Sequence, residues 1–139
     1  TSDSVAVLTP PTLESGPSNL EIRDQGKIVA RVSATVSAAA PQLFAAVNAD
    51  GSVNAINTPS ARGSILVLYG TGQGVTAQPT SVQIYGYQAD ILYSGAVAGY
   101  PGLWQLNVRV PGGFLPPGTY PLTVNVGGAL SASLYVSVI

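Results

Sequence analysis

Apolar and polar side chains alternate with a period of two through the last third of the chain, and that period constrains the fold more than any other feature. Leu106, Val108 and Val110 alternate with Gln105, Asn107 and Arg109, and Leu122, Val124 and Val126 alternate with Thr123 and Asn125. Leu130, Ala132, Leu134, Val136 and Val138 alternate with Ser131, Ser133, Tyr135 and Ser137. A strand sends successive side chains to opposite faces, so each pattern predicts one buried and one wetter face. Ile65 to Tyr69 is instead continuously apolar, as expected of a central strand or one covered on both faces. Further strands are expected near Leu43–Val47, Val53–Ile56, Val82–Tyr85 and Ala89–Tyr93. Turn signals separate them at Asp50-Gly51, Pro111-Gly112-Gly113, Pro116-Pro117-Gly118 and Gly127-Gly128. Sixteen Gly and eleven Pro among 139 residues are too many for a helix bundle. The reading is all-β, an immunoglobulin-like β-sandwich.

An internal repeat organises the chain. Residues 16–37 align without gaps on residues 118–139: Gly16 on Gly118, Leu20 on Leu122, Ile22 on Val124 and Gly26 on Gly128. Ile28, Ala30, Val32, Ala34 and Val36 fall on Leu130, Ala132, Leu134, Val136 and Val138. With one inserted residue, Val5, Val7 and Pro10 fall on Leu106, Val108 and Pro111. Residues 1–37 thus read as an N-terminal strand segment repeating the closing three strands of a sandwich, and residues 38–139 as the sandwich itself. A three-stranded piece with one bare apolar face is marginal in water, so that face is expected to cover something.

Composition removes most chemistry. There is no Cys, Met or His, which excludes a thiolate nucleophile, a disulfide framework, an imidazole base and His-based metal sites. Five basic and six acidic side chains nearly cancel, so the electrostatic footprint of a nucleic-acid binder is missing. No apolar run approaches the roughly 18–20 residues of a membrane-spanning helix, and no membrane insertion is expected. The chain opens at Thr1 without a signal-like stretch, which reads as a processed form or an excerpt.

Four motifs invite a functional reading. Gly70-Thr71-Gly72-Gln73-Gly74 follows a strand as a dinucleotide loop would, but the residues after it have no helical face to hold a phosphate. Asn48, Asp50, Ser52 and Asn54 alternate oxygen-bearing side chains as some calcium loops do; a turn at Asp50-Gly51 explains them with fewer assumptions. Asp50 and Asp90 are the carboxylates left outside the N-terminal segment for a glycosidase-like pair, and no enzyme is expected from them. Glu21, Arg23, Asp24, Lys27 and Arg31 put five of eleven charges within eleven positions, as a solvated hairpin tip or a register-setting surface. Among the aromatics, Trp104 shares parity with Leu106 and belongs in the core. Tyr85 and Tyr87 share parity with Gln83, and with Tyr100 they are candidates for a ligand platform or an interface.

Several blocks resemble a known family. Ala38-Ala39-Ala40-Pro41-Gln42-Leu43-Phe44, Asn48–Asn54, Pro59–Gly74, Ala89–Pro111 and Pro116–Gly128 resemble the Solibacter-type uncharacterised C-terminal module of large secreted bacterial proteins. The resemblance covers about residues 38–139. It implies a secreted or surface-attached β-sandwich with no catalytic residues to carry over. Residues 75–81 are shorter than the family's Pro-rich insertion after the glycine turn.

These readings lead to an expected function. The first expectation is an extracellular structural subunit whose copies assemble into a filament or surface layer by strand addition. Its interface would use Val5, Val7, Leu20, Ile22, Ile28, Val32 and Val36, and its partner would be other copies of itself. The alternative is a monomeric surface adhesion or carbohydrate-binding module of a larger secreted protein, with polysaccharide as partner. No cofactor is expected in either.

Overall fold

The computed structural model describes residues 7–10, 12–113 and 115–139, which divide into two compact units between Ala38 and Ala39. The described residues contain strands and turns and no helix. Among the described residues no helix is long and apolar enough to cross a membrane.

The first unit is a hairpin of β1 (Gly16–Asp24) and β2 (Lys27–Val36). Gln25 and Gly26 join them with φ of 46° and 81°, both positive as a tight I′-type hairpin turn requires. The register pairs Gly16 with Val36 and Leu20 with Val32, then skips Val29 so that Arg23 pairs with Ile28. The skip is a β-bulge, and it turns Ile28 to the side of Arg23, away from Leu20 and Val32. Ile28 was expected on the apolar face; the bulge removes it. Val7, expected in a strand, is exposed and outside any strand among the described residues, and Val5 lies outside those residues.

The second unit contains β3 (Gln42–Asn48), β4 (Ile65–Thr71), β5 (Thr80–Ile84), β6 (Tyr87–Ala96), β7 (Trp104–Arg109), β8 (Gly118–Val126), β9 (Ala129–Leu130) and β10 (Leu134–Val138). All pair antiparallel in the order β10-β8-β5-β6-β7-β4-β3, with β9 beside β8. β6 belongs to both halves of this curled sheet. Its start pairs with β5 through Ala89 and its remainder pairs with β7 from Asp90 onward. The inward side chains of the two halves meet in one core. Leu66, Leu68, Leu106 and Val108 come from one side, and Val82, Ile84, Leu122, Val124 and Val136 from the other. Trp104 joins them, buried, with its Nε1–H donating to Ser94 Oγ at 3.0 Å.

The period-two expectation holds for β7 and β8, whose burial alternates with the sequence pattern. In β10 Val136 and Val138 are buried as expected but so is Ser137 between them, and before it Leu130 and Ala132 are exposed while Ser131 is buried, the reverse of the expected pattern. The expectation needs correction in two more places. β4 is central, between β3 and β7, but Ile65, Val67 and Tyr69 face outward and are only partly shielded. The expected strand at Val53–Ile56 is an irregular connection with isolated bridges at Val53 and Ala55, and Val53 and Ile56 are exposed.

The glycine run after β4 has a steric cause. A Cβ on Gly72, whose φ is +78°, would stand 1.8 Å from the Ala40 carbonyl oxygen, and one on Gly70 would stand 2.6 Å from that of Gln42. The glycines let the end of β4 pass against residues 40–42, and Ala40 N–H donates to Gly72 O at 2.8 Å.

Candidate functional site

The outward face of the β6-β7-β4-β3 half carries the most distinctive grouping of side chains on the second unit. Cross-strand pairing sets it in rows. Gly95, Gln105, Tyr69 and Ala45 form one row; Tyr93, Asn107, Val67 and Val47 form the next. Partners across an antiparallel ladder share a face, so these eight positions look the same way.

Two local features shape this face. Gly95 has no side chain, and the Tyr93 ring lies across it: a Cβ there would be 2.5 Å from Tyr93 Oη and 2.9 Å from Cζ. Tyr93 is thereby drawn into the row of Gln105 and Tyr69. A bulge in β6 between Ile91 and Tyr93 delivers Tyr93 to that position. Between the two tyrosines, Gln105 Nε2–H donates to Asn107 Oδ1 at 2.8 Å. The bond fixes both amides and leaves Gln105 Oε1 and an Asn107 Nδ2–H with no partner among the described residues. β6 and β4 flank β7, so the strands bearing the two rings are about 10 Å apart. Tyr93 is 46% exposed, and Tyr69, Gln105 and Asn107 are half-buried.

This arrangement has ring faces for apolar C–H surfaces, with an amide acceptor and an amide donor set between them. Asp50 lies in the turn after β3. Its carboxylate accepts from Ser52 Oγ–H at 2.6 Å and Ser52 N–H at 2.9 Å, and these bonds hold it below its ordinary value.

The residues singled out from sequence are distributed differently. Tyr85 does not share a strand with Tyr87. Tyr85 (φ 52°) and Gly86 (φ 82°) form the turn between β5 and β6, and Tyr87 pairs with Ile84, on the inward side. Tyr85 stacks at a tilt on Tyr120, with ring centroids 5.1 Å apart. Tyr85 and Tyr87 lie at one end of β6 and Tyr100 in the connection beyond the other. The ten residues of β6 span roughly 30 Å when extended, so the three cannot form one platform. Tyr100 is exposed in the connection between β6 and β7, beyond the Ala96–Trp104 pair.

Leu20 and Val32 sit opposite each other on the hairpin and are 43% and 53% exposed; Ile22 and Val36 are half-buried. The nearby charges include a local cluster, with Glu21 accepting from both Arg23 and Arg31.

The oxygen-bearing series at 48–54 is spent on structure. Asn48 Oδ1 accepts from Asn54 Nδ2–H at 2.9 Å, Asn54 Oδ1 accepts from Ser137 N–H at 2.7 Å, and Asp50 is bound by Ser52. Among the described residues no group of three or more acidic side chains gathers as a metal site. Asp50 follows β3 and Asp90 lies on β6, at opposite edges of one half-sheet. Three strand spacings put them about 14 Å apart, beyond the carboxylate separations of either glycosidase class.

Tyr93 and Tyr69 were not singled out from sequence. Tyr69 is hidden in an apolar run, and Tyr93 follows a bulge that breaks the alternation. Gly95, two residues after Tyr93, was the available signal.

No protein-family model and no curated protein matches the chain. Among solved structures it is similar to the Bacteroides ovatus mixed-linkage glucan utilization locus protein SGBP-B, solved in complex with a mixed-linkage heptasaccharide. The similarity has 20% sequence identity and a TM-score of 0.46, and covers 92% of this chain and 31% of that one. The chain therefore spans about a third of that protein, and a likeness at this level transfers neither fold nor ligand to it.

Proposed function

We propose that the protein is an extracellular, non-enzymatic β-module that binds polysaccharide on the outward face of β6, β7 and β4. The observation that carries this reading is the row of Tyr93 over Gly95, the Gln105–Asn107 amide pair, and Tyr69. A pyranose presents an apolar C–H face and a rim of hydroxyls. Tyrosine rings take the former and fixed amides the latter. The rows of side chains cross β6, β7 and β4, which favours an extended chain lying across several strands over a single enclosed sugar. A formal charge of −1 leaves no strong field to select a charged ligand. The resemblance of residues 38–139 to a module of secreted bacterial proteins supports a surface location.

Affinity electrophoresis through gels containing soluble β-glucans, xylans and mannans tests the proposal. Retardation of the wild-type chain by at least one polymer, lost in Tyr69→Ala/Tyr93→Ala, is the expected result. Equal mobility of both proteins in every gel would contradict it.

A second reading, assembly of copies into a filament by strand addition, draws on the exposed apolar residues of β1 and β2. The acceptor side weighs against it. Residues 52–54 bond to the outer edge of β3 at Ala46 and Asn48, and Asn54 and Ser60 bond to the outer edge of β10 at Ser137. A covered edge has few free backbone groups for an incoming strand. Under this reading the chain sediments as a polymer; under the first it sediments as a monomer.

A further inference from the structure

Residues 16–36 and 118–138 form the same hairpin, pair for pair. Both first strands start at a glycine and run nine residues, and both turns have two positive φ angles, 46° and 81° at 25–26 and 58° and 94° at 127–128. Shifted by the interval from Gly16 to Gly118, every pair of β8 with β9 or β10 becomes a pair of β1 with β2. Leu122 with Leu134 becomes Leu20 with Val32, Gly118 with Val138 becomes Gly16 with Val36, and Asn125 with Leu130 becomes Arg23 with Ile28. The one-residue offset of the bulge is reproduced too: between Leu122–Leu134 and Asn125–Leu130 the second strand has one residue more than the first, as it has between Leu20–Val32 and Arg23–Ile28, with residues 131–133 separating β9 from β10. Alternating strands resemble each other by chance, but chance does not copy a turn, an offset and a register together.

The two copies differ in what completes them. In the second unit β5 pairs along β8 from Leu122 to Val126, and Leu122, Val124 and Val136 are fully buried against the opposing half-sheet. In the first unit the corresponding edge of β1, Leu20 to Asp24, has no partner strand among the described residues, and Leu20 and Val32 are exposed.

We infer that β1–β2 is the closing hairpin of a second β-module of this same architecture, and docks on it through the Leu20–Asp24 edge and the Leu20–Val32 face. The occupant must offer an open antiparallel edge like that of β5 and an apolar layer like that of Leu66, Leu68 and Leu106. The second unit of another copy does not qualify, because its own β8–β10 hairpin already fills that place. Asp24 stands where Val126 is buried, so the tip of the docked hairpin lies at the rim of its partner, where the carboxylate stays wet.

The protein's own β3–β7 frame serves as the probe. In the full-length chain, residues 118–139 are replaced by the sequence of residues 16–37, and unfolding in urea is followed by the fluorescence of Trp104. The expected result is a single cooperative transition from a blue-shifted, buried Trp104, at a lower midpoint than wild type. The midpoint rises when the grafted copy also carries Asp24→Val and the transition is lost when it carries Leu20→Asp. A solvent-exposed Trp104 without a cooperative transition, in both the plain graft and the Asp24→Val graft, overturns the inference. So does a Leu20→Asp graft as stable as its parent.

Discussion

Asn54 grips the backbone of Ser137 with both ends of its side-chain amide: Nδ2–H donates to the Ser137 carbonyl at 2.9 Å, and Oδ1 accepts the Ser137 N–H at 2.7 Å. The side chain thereby takes the place of a neighbouring strand on β10. Its own backbone N–H donates to Ala46 O on β3 at 2.9 Å, so one residue ties together the two terminal strands of the sheet order. Ser60 adds to the seal, donating its N–H to Ser137 O and accepting from Ile139 N–H, both at 2.9 Å. A sheet closed this way has its edges covered.

Asn54→Ala removes both bonds to Ser137 and leaves a buried N–H without its acceptor. A loss of about 1–3 kcal/mol follows, read as a lower urea midpoint with an unchanged slope. Asn54→Asp behaves differently with pH. Its carboxylate would face the oxygens of Ser137 and Asn48, which favours the protonated form in the folded state and raises the folded pKa. The penalty is therefore small below the unfolded carboxylate pKa of about 3.9 and grows as pH rises through the folded value. Urea midpoints of this variant relative to wild type at acidic and neutral pH check the sign.

Gly72→Ala brings a methyl group against the Ala40 carbonyl at a backbone angle that L residues avoid, and should cost roughly 3–5 kcal/mol. Gly86 has a similar φ but open space around it, so Gly86→Ala should cost only about 1–2 kcal/mol. Thermal unfolding of the two variants side by side separates close approach from backbone angle alone.

Asp50 is fully exposed and bound by Ser52, which lowers its pKa. A depressed carboxylate contributes stability that is present above its unfolded pKa and lost as pH falls through the folded value. Asp50→Asn keeps an acceptor for Ser52 but no charge. The difference in melting temperature between wild type and Asp50→Asn should therefore shrink between about pH 5 and about pH 2. A difference that widens on acidification would reverse the assigned sign.

Strands with clean alternation were legible from sequence because one solvent-facing side forces polar residues into every second position; Leu106 and Val108 on β7 and Leu122 and Val124 on β8 are such cases. The hairpin at 16–36 was legible for a different reason: it repeats a pattern present elsewhere in the chain. What sequence hid were departures from period two. The bulge after Ile91 moves Tyr93 onto the outward face, and the turn at Tyr85-Gly86 divides Tyr85 from Tyr87. Tyrosine is an unusual residue for a positive-φ turn, so only Gly86 marked it. The role of Asn54 is hidden in the sequence because its partner Ser137 lies 83 residues away, a contact that local pattern cannot announce.

The most direct test of polysaccharide binding on the Tyr93 face is the side-chain and backbone amide NMR spectrum of the full chain, titrated with an oligosaccharide of whichever polymer retards it in the gel. The account predicts shifts concentrated at the Gln105 and Asn107 side-chain amides and at the backbone of Tyr69, Tyr93 and Gly95. Shifts centred on Tyr85 and Tyr87 or on the β1–β2 hairpin, with the Gln105 and Asn107 amides unmoved, would contradict it.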